Sequence, residues 1–251
     1  MRYRSVYLPA VLALLLLGLA VAGVLLVRYE PRWYGQAELP PGPQRQQNSE
    51  TFCTAFGGLL TDISSEPRWG ASFSDEQINA YLEEGFVQSG LSARVLPEHI
   101  SRPRVRIEAD RIRLAFRYGR GAWSTVVSID LRAWLAPREP NVMCLELEAF
   151  HVGALPLAVQ SILERISEAG RQNGIDVSWY RNPETGKPVA VLRFQADQPK
   201  PTLELSALHL GQGVLTIQGK SNDFGPPVRV GPVLPEPPPA APDPGPGPRP
   251  N

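Results

Sequence analysis

Between Arg104 and Ala169 the chain alternates apolar and polar residues and then changes period. From Arg111 to Tyr118, Ile112, Leu114, Phe116 and Tyr118 share one face of an extended segment, while Arg111, Arg113, Ala115 and Arg117 share the other. Gly119-Arg120-Gly121 supplies a tight turn. A second alternation follows, with Thr125, Val127, Ile129, Leu131, Ala133 and Leu135 opposite Ser124, Ser128, Asp130 and Arg132, so the pair reads as a β-hairpin. After a break at Pro137–Pro140, Met143, Leu145 and Leu147 start another strand whose opposite face carries Cys144, Glu146 and Glu148. The period then becomes helical: Val159, Ile162, Leu163, Ile166 and Ala169 fall on one stripe. The expected fold class is α+β, a curved antiparallel β-meander packed on one long amphipathic helix, with smaller N-terminal helices.

Phe52, Phe56, Leu59, Leu60 and Ile63 recur at helical spacing, interrupted by Gly57 and Gly58. Ser74 and Gln77 form a capping box, and Phe73 with Ile78 a hydrophobic staple, which together start a helix predicted over Asp75–Gln88 with Ile78, Tyr81, Leu82 and Phe86 on its apolar side. Arg104–Ile107 reads as a short strand. Ile175, Val177 and Trp179, a turn at Asn182–Gly186, and Val189, Val191 and Arg193 make a further hairpin. A last hairpin turns at Gly211-Gln212-Gly213 between Leu203–Leu210 and Leu215–Ile217.

The ends differ from this middle. Leu8–Val27 is twenty uncharged residues, about 30 Å as a helix and thus about a bilayer's hydrocarbon thickness. It reads as an uncleaved transmembrane anchor. Ala20-Val21-Ala22 resembles a signal-peptide cleavage site, but the apolar run continues to Val27. Arg2 and Arg4 precede the span, whereas Arg28 and Arg32 after it are offset by Glu30, which predicts a cytoplasmic segment 1–7 and a domain outside the cytoplasm. Residues 28–48 are rich in Pro, Gly and Gln, with Trp33 and Tyr34 near the membrane end, and read as a linker with an interfacial foot. Residues 49–221 form the expected globular domain, large enough to fold without metal or disulfide. Residues 222–251, dominated by proline, read as a disordered tail.

Composition narrows the function classes. With 25 basic and 25 acidic residues the chain lacks the basic footprint of a nucleic-acid binder. Cys53 and Cys144 have no metal-ligand spacing. They read as two unpaired thiols, with pairing open in an oxidising compartment. His99, His151 and His209 lie apart, no P-loop or nucleophile elbow occurs, and no cofactor is implied. Gly119-Arg120-Gly121 lies between strands, so it is a hairpin turn and no dinucleotide fingerprint. Glu146 and Glu148 alternate with apolar neighbours, as on a solvated strand face, and the chain reads as non-enzymatic. Arg111, Arg113 and Arg117 are a solvated face too, or headgroup candidates beside a membrane.

The helix Phe73-Ser74-Asp75-Glu76-Gln77-Ile78-Asn79-Ala80-Tyr81-Leu82, the meander, and Leu145-Glu146-Leu147-Glu148-Ala149-Phe150-His151-Val152-Gly153-Ala154-Leu155-Pro156-Leu157 running into an amphipathic helix resemble small single-anchor bacterial envelope proteins related to tubular lipid-binding (TULIP-like) domains, over Ser72 to Gly219. The resemblance implies a curved sheet wrapping a long helix and an apolar groove for an acyl chain, with no catalytic residue to carry over. Groove candidates are Ile78, Leu82, Phe86, Leu114, Phe116, Ile129, Leu131, Leu155, Leu163 and Ile166. The expected function is a membrane-anchored, extracytoplasmic domain that binds or shields lipid. The alternative is a structural or assembly module with a filled core that binds another envelope protein.

Overall fold

The computed structural model describes residues 4–121, 124–156, 176–195 and 201–222. Six helices and ten strands follow one another among them: α1 (Arg4–Val27), α2 (Arg32–Gln36), α3 (Pro43–Ser65), β1 (Arg68–Ser74), α4 (Asp75–Glu83), α5 (Gly85–Gln88), α6 (Leu91–Val95), β2 (Ile100–Glu108), β3 (Arg111–Tyr118), β4 (Thr125–Leu135), β5 (Val142–Val152), β6 (Leu155–Pro156), β7 (Asp176–Arg181), β8 (Pro188–Arg193), β9 (Leu203–Gly211) and β10 (Val214–Ser221). The fold is α+β, built on a seven-stranded antiparallel sheet in the order β2-β3-β4-β5-β8-β7, with β6 on β5, and a three-stranded sheet β1-β10-β9. The helix expected over Val159–Ala169, with the groove candidates Leu163 and Ile166, lies outside the described residues, as does the tail beyond Asn222.

Strands β3 and β4 occupy the predicted spans, and the register follows the alternation. Leu114 sits opposite Ile129 and Ile112 opposite Leu131; β5 continues the rows with Phe150 beside Ile129 and Leu147 beside Leu131. A bulge between Asp130 and Leu131 lets the two eleven-residue strands bend without moving apolar side chains to the other face. The capping box at Ser74 and Gln77 is present: the Gln77 N–H donates to Ser74 Oγ and the Ser74 N–H to Gln77 Oε1.

Two spans differ from expectation. The helix predicted over Asp75–Gln88 breaks at Glu84 (φ −110°, ψ −82°), and the Tyr81 ring fills the space where a Cβ on Gly85 would stand at 3.0 Å. Residues 28–48 are no free linker. Pro43 opens α3, a helix position that needs no N–H, and the segment before it is docked on the domain, with Tyr34 fully buried. Strand β1 was not foreseen. Its inward residues Trp69 and Phe73 pack with Leu59 of α3, supported by Phe52, Ile63, Ile78, Leu203, Leu205 and Ile217.

Sheet edges expose unpaired N–H and C=O groups, and two of them are closed here by asparagine side chains. The Asn79 amide, buried in α4, donates to the Val105 carbonyl and accepts from the Val105 N–H, both at 2.8 Å, as a neighbouring strand would. Asp75 accepts from the Ile107 N–H, and the Gly213 N–H donates to the Ile107 carbonyl, so β2 is sealed along its outer side. On β9 the Asn141 amide makes the same pair of bonds, donating to the Leu203 carbonyl and accepting from the Leu205 N–H. It thereby ties the small sheet to the β4–β5 turn.

Candidate functional site

The site is built where the apolar helix meets the large sheet. The last carbonyls of a helix have no partner inside it, and those of α1 find theirs on the domain. Ala154 N–H donates to Leu26 O at 2.8 Å, the Thr125 hydroxyl donates to Val27 O, and the Gly153 N–H donates to Val126 O at 2.7 Å. Gly153 holds φ +61° in the turn between β5 and β6, and a Cβ there would collide with the Leu26 and Val27 carbonyl oxygens. The Gly153-Ala154 turn is thus a socket for the end of α1. Between α1 and the start of β4 lies an apolar cavity of about 360 Å³, lined by Ala20, Gly23, Val24, Val27, Arg28, Ser124 and Thr125.

Beyond α1 the chain crosses the charged face of the sheet and is clamped there. The Tyr34 ring packs against Ala115 and Val126, and its hydroxyl donates to Arg102 O at 2.8 Å. Arg104 is 2% exposed. Its guanidinium lies 4.5 Å from the Tyr34 ring centroid, donates to Tyr34 O at 2.7 Å, and pairs with Glu38 at 3.0 Å and Glu83 at 3.2 Å. Arg117 pairs with Glu30 at 2.6 Å, and Arg45 with Glu84 at 2.5 Å. One buried cation therefore joins the segment after α1, α4 and β2.

This clamp changes the meaning of the arginine stripe. Arg111 pairs with Glu148 at 2.8 Å, Arg113 with Glu108 at 3.5 Å and Asp130 at 3.8 Å, and Arg117 with Glu30. The headgroup candidates Arg111, Arg113 and Arg117 are each engaged by acidic residues of the chain itself. The register accounts for the Arg113 pairs, since Asp130 stands directly opposite Arg113 and Glu108, opposite Arg111, lies diagonal to it. Nor is this face simply solvated, because Ala115 and Val126 are each 2% exposed beneath Tyr34.

On the other face of the sheet, Leu114, Phe116, Ile129, Leu131 and Leu155 come together. Phe116 stands beside Val127, Val127 beside Val152, and Val152 beside Leu155, so this row ends next to the α1 socket. Ile107, Val127, Leu147 and Phe150 are buried in these rows, while Leu114, Phe116, Ile129 and Leu131 stay half-buried. The other candidates are elsewhere: Ile78 belongs to the α3–β1 cluster, Phe86 packs against Tyr81, and Leu82 lies on α4.

Compared with known families, characterised proteins and solved structures, the chain matches none.

Glu146, Glu148 and His151 are drawn to different partners. Glu146, 1% exposed, accepts from Asn182 at 3.0 Å and from the Thr185 hydroxyl and so pins the β7–β8 turn, while Glu148 binds Arg111 and Lys187, and His151 stands opposite Ser128 and Pro156. Cys53 is exposed on α3 and Cys144 buried on β5, both as free thiols.

Two carboxyls give the clamp face opposed responses to pH. The hydrogen bond and charge of Arg104 hold Glu38 below its ordinary 4.5, so its contribution is present above that value and is lost as pH falls through the lowered pKa. Burial raises Asp130 above 3.8 despite Arg113, Arg111 and His151, so its contribution is full below 3.8 and is lost as pH rises through the raised pKa. Asp130→Asn is expected to be more stable than wild type at neutral pH, with the difference closing towards pH 3.8. Denaturant midpoints across that range test it; a variant that is less stable at pH 7 would show the ionised carboxylate to be favourable.

Proposed function

We propose that this chain is a non-enzymatic, single-anchor membrane protein whose domain lies outside the cytoplasm and holds the acyl part of a lipid against the apolar face of its large sheet. In this TULIP-like reading the meander curves around the helix predicted over Val159–Ala169, and the lipid lies between them. One observation carries the reading. The rows through Leu114, Phe116, Ile129 and Leu131 stay half-buried and run to Val152 and Leu155, beside the socket that grips the end of α1. Helix α1 is long and apolar enough to cross a membrane, and none of its apolar window is buried by the rest of the chain. An acyl chain leaving the bilayer at that point would meet a continuous apolar path.

Burying each methylene is worth about 0.8 kcal/mol, so a long acyl chain should survive mild extraction. Native mass spectrometry of the full chain released from detergent micelles is expected to show a retained phospholipid, reduced by Ile129→Asp. Bare protein in both samples would count against lipid binding. A second reading, an assembly module for another envelope protein, has its own support: Ile107, Val127, Leu147 and Phe150 are already buried as in a filled core. Bare protein together with a specific crosslinked envelope partner would favour it.

A further inference from the structure

Strand β1 is an edge that the fold leaves open. Asn79, Asp75 and Gly213 seal the outer side of β2, and Asn141 seals β9, yet among the described residues nothing bonds to the outward backbone groups of Arg68–Phe73. Three of the usual protections are missing as well. All seven residues pair with β10 without a bulge, no proline interrupts them, and no charge points inward.

We infer that β1 is the contact strand of a homodimer, pairing antiparallel with β1 of a second copy about a two-fold axis at Ala71 and joining the two small sheets into one of six strands. The sequence of the strand is what selects a second copy. Centring on Ala71 is the register that overlaps all seven residues, setting Trp69 opposite Phe73 of the other copy, Gly70 opposite Ser72, and Arg68 opposite Ser74. Because the offset is even, the inward residues Trp69, Ala71 and Phe73 of both copies stay on one side and the exposed Arg68, Gly70 and Ser72 on the other.

Charge complementarity agrees. Among the described residues Arg68 has no ion pair, and at this register it comes beside the acidic first turn of the other copy's α4, Asp75 and Glu76. Phe56 adds an apolar motive. It is 41% exposed on α3, stacked on Phe52 and 6.4 Å from the Phe73 ring of β1.

Particle mass of the full chain in lipid nanodiscs tests the stoichiometry, and cysteine crosslinking tests the surface. In a Cys53→Ser background, Ala71→Cys should oxidise to a covalent dimer in most molecules, because directly opposed positions in an antiparallel pair reach disulfide distance. Ser72→Cys, exposed and so free of any core penalty, should be joined by a short bis-maleimide, while Ser206→Cys on β9 should not. One chain per particle would overturn the proposal. So would two chains per particle with positions 71 and 72 unreactive, which would place the contact elsewhere, for instance along α1.

Discussion

Replacing Arg104 by alanine should release the segment between α1 and α3 and destabilise the domain more than any other single change on the charged face. Its guanidinium is 2% exposed and answers three acceptors, Tyr34 O, Glu38 and Glu83, while also covering the Tyr34 ring. Removing one partner of a buried ionic cluster typically costs about 3–5 kcal/mol, and we expect about 3 because Glu38 remains more than half exposed and keeps its water. Arg104→Lys should recover only part of this, since one ammonium cannot serve a fork of acceptors on two sides. Guanidinium unfolding of the full chain in micelles would give the magnitude, and protease cutting between Glu30 and Gly42 would report release of the segment. An alanine variant with wild-type stability and protection would mean that Tyr34 and the helix contacts hold the segment alone.

Gly153→Val should undock α1 from the domain. A non-glycine residue held in the left-handed region costs about 1–2 kcal/mol by itself, and here the added Cβ would also meet the Leu26 and Val27 carbonyl oxygens, which are backbone atoms of a helix end and cannot swing aside. Relief requires the Ala154 and Thr125 bonds to α1 to break. Val24 and Ser124 line the cavity at this junction, so a Val24→Cys, Ser124→Cys pair reads it directly. The crosslink should form in the parent and be lost with Gly153→Val, while urea unfolding of the sheet shifts by less than the Arg104 change. An unaffected crosslink would show that the turn can rearrange around the new side chain. Lipid retention measured in the same variant would test whether the proposed lipid binding depends on the docking of α1.

The two motifs that suggested a lipid-binding domain have specific local work in this fold. In Gln77-Ile78-Asn79-Ala80, Gln77 closes the capping box, Ile78 packs on Phe73 and its neighbours, and Asn79 supplies a peptide-like edge to β2. In Gly153-Ala154-Leu155-Pro156, glycine makes room for the end of α1 and alanine donates to it. The capping role of Gln77 and the staple of Ile78 on Phe73 are legible in the sequence, because they are set by residues three and five apart, whereas Asn79 meets its partner 26 positions away. Strand β1 is hard to read from the sequence for a similar reason. Its alternation of Trp69, Ala71 and Phe73 is short and diluted by glycine and serine, and it becomes a strand because β10 pairs with it from the far end of the domain.

Local physics, readable from the sequence alone, determined the apolar helix α1, the capped start of α4 and the paired strands β3 and β4 with their sorted faces. Each reflects a period of two or 3.6, or a cap within one turn, and such features need only neighbours along the chain. Tertiary structure decided what the charged face does. Arg111, Arg113 and Arg117 alternate as a solvated stripe would, yet their acidic partners come from Glu148, Asp130, Glu108 and Glu30, and Tyr34 closes over Ala115 between them. Arg104 meets the Tyr34 carbonyl across 70 residues. No periodicity records a contact of that span: a buried ion pair is specified by two polar residues whose separation in sequence carries no physical constraint, and it exists only once the sheet has brought their backbones together.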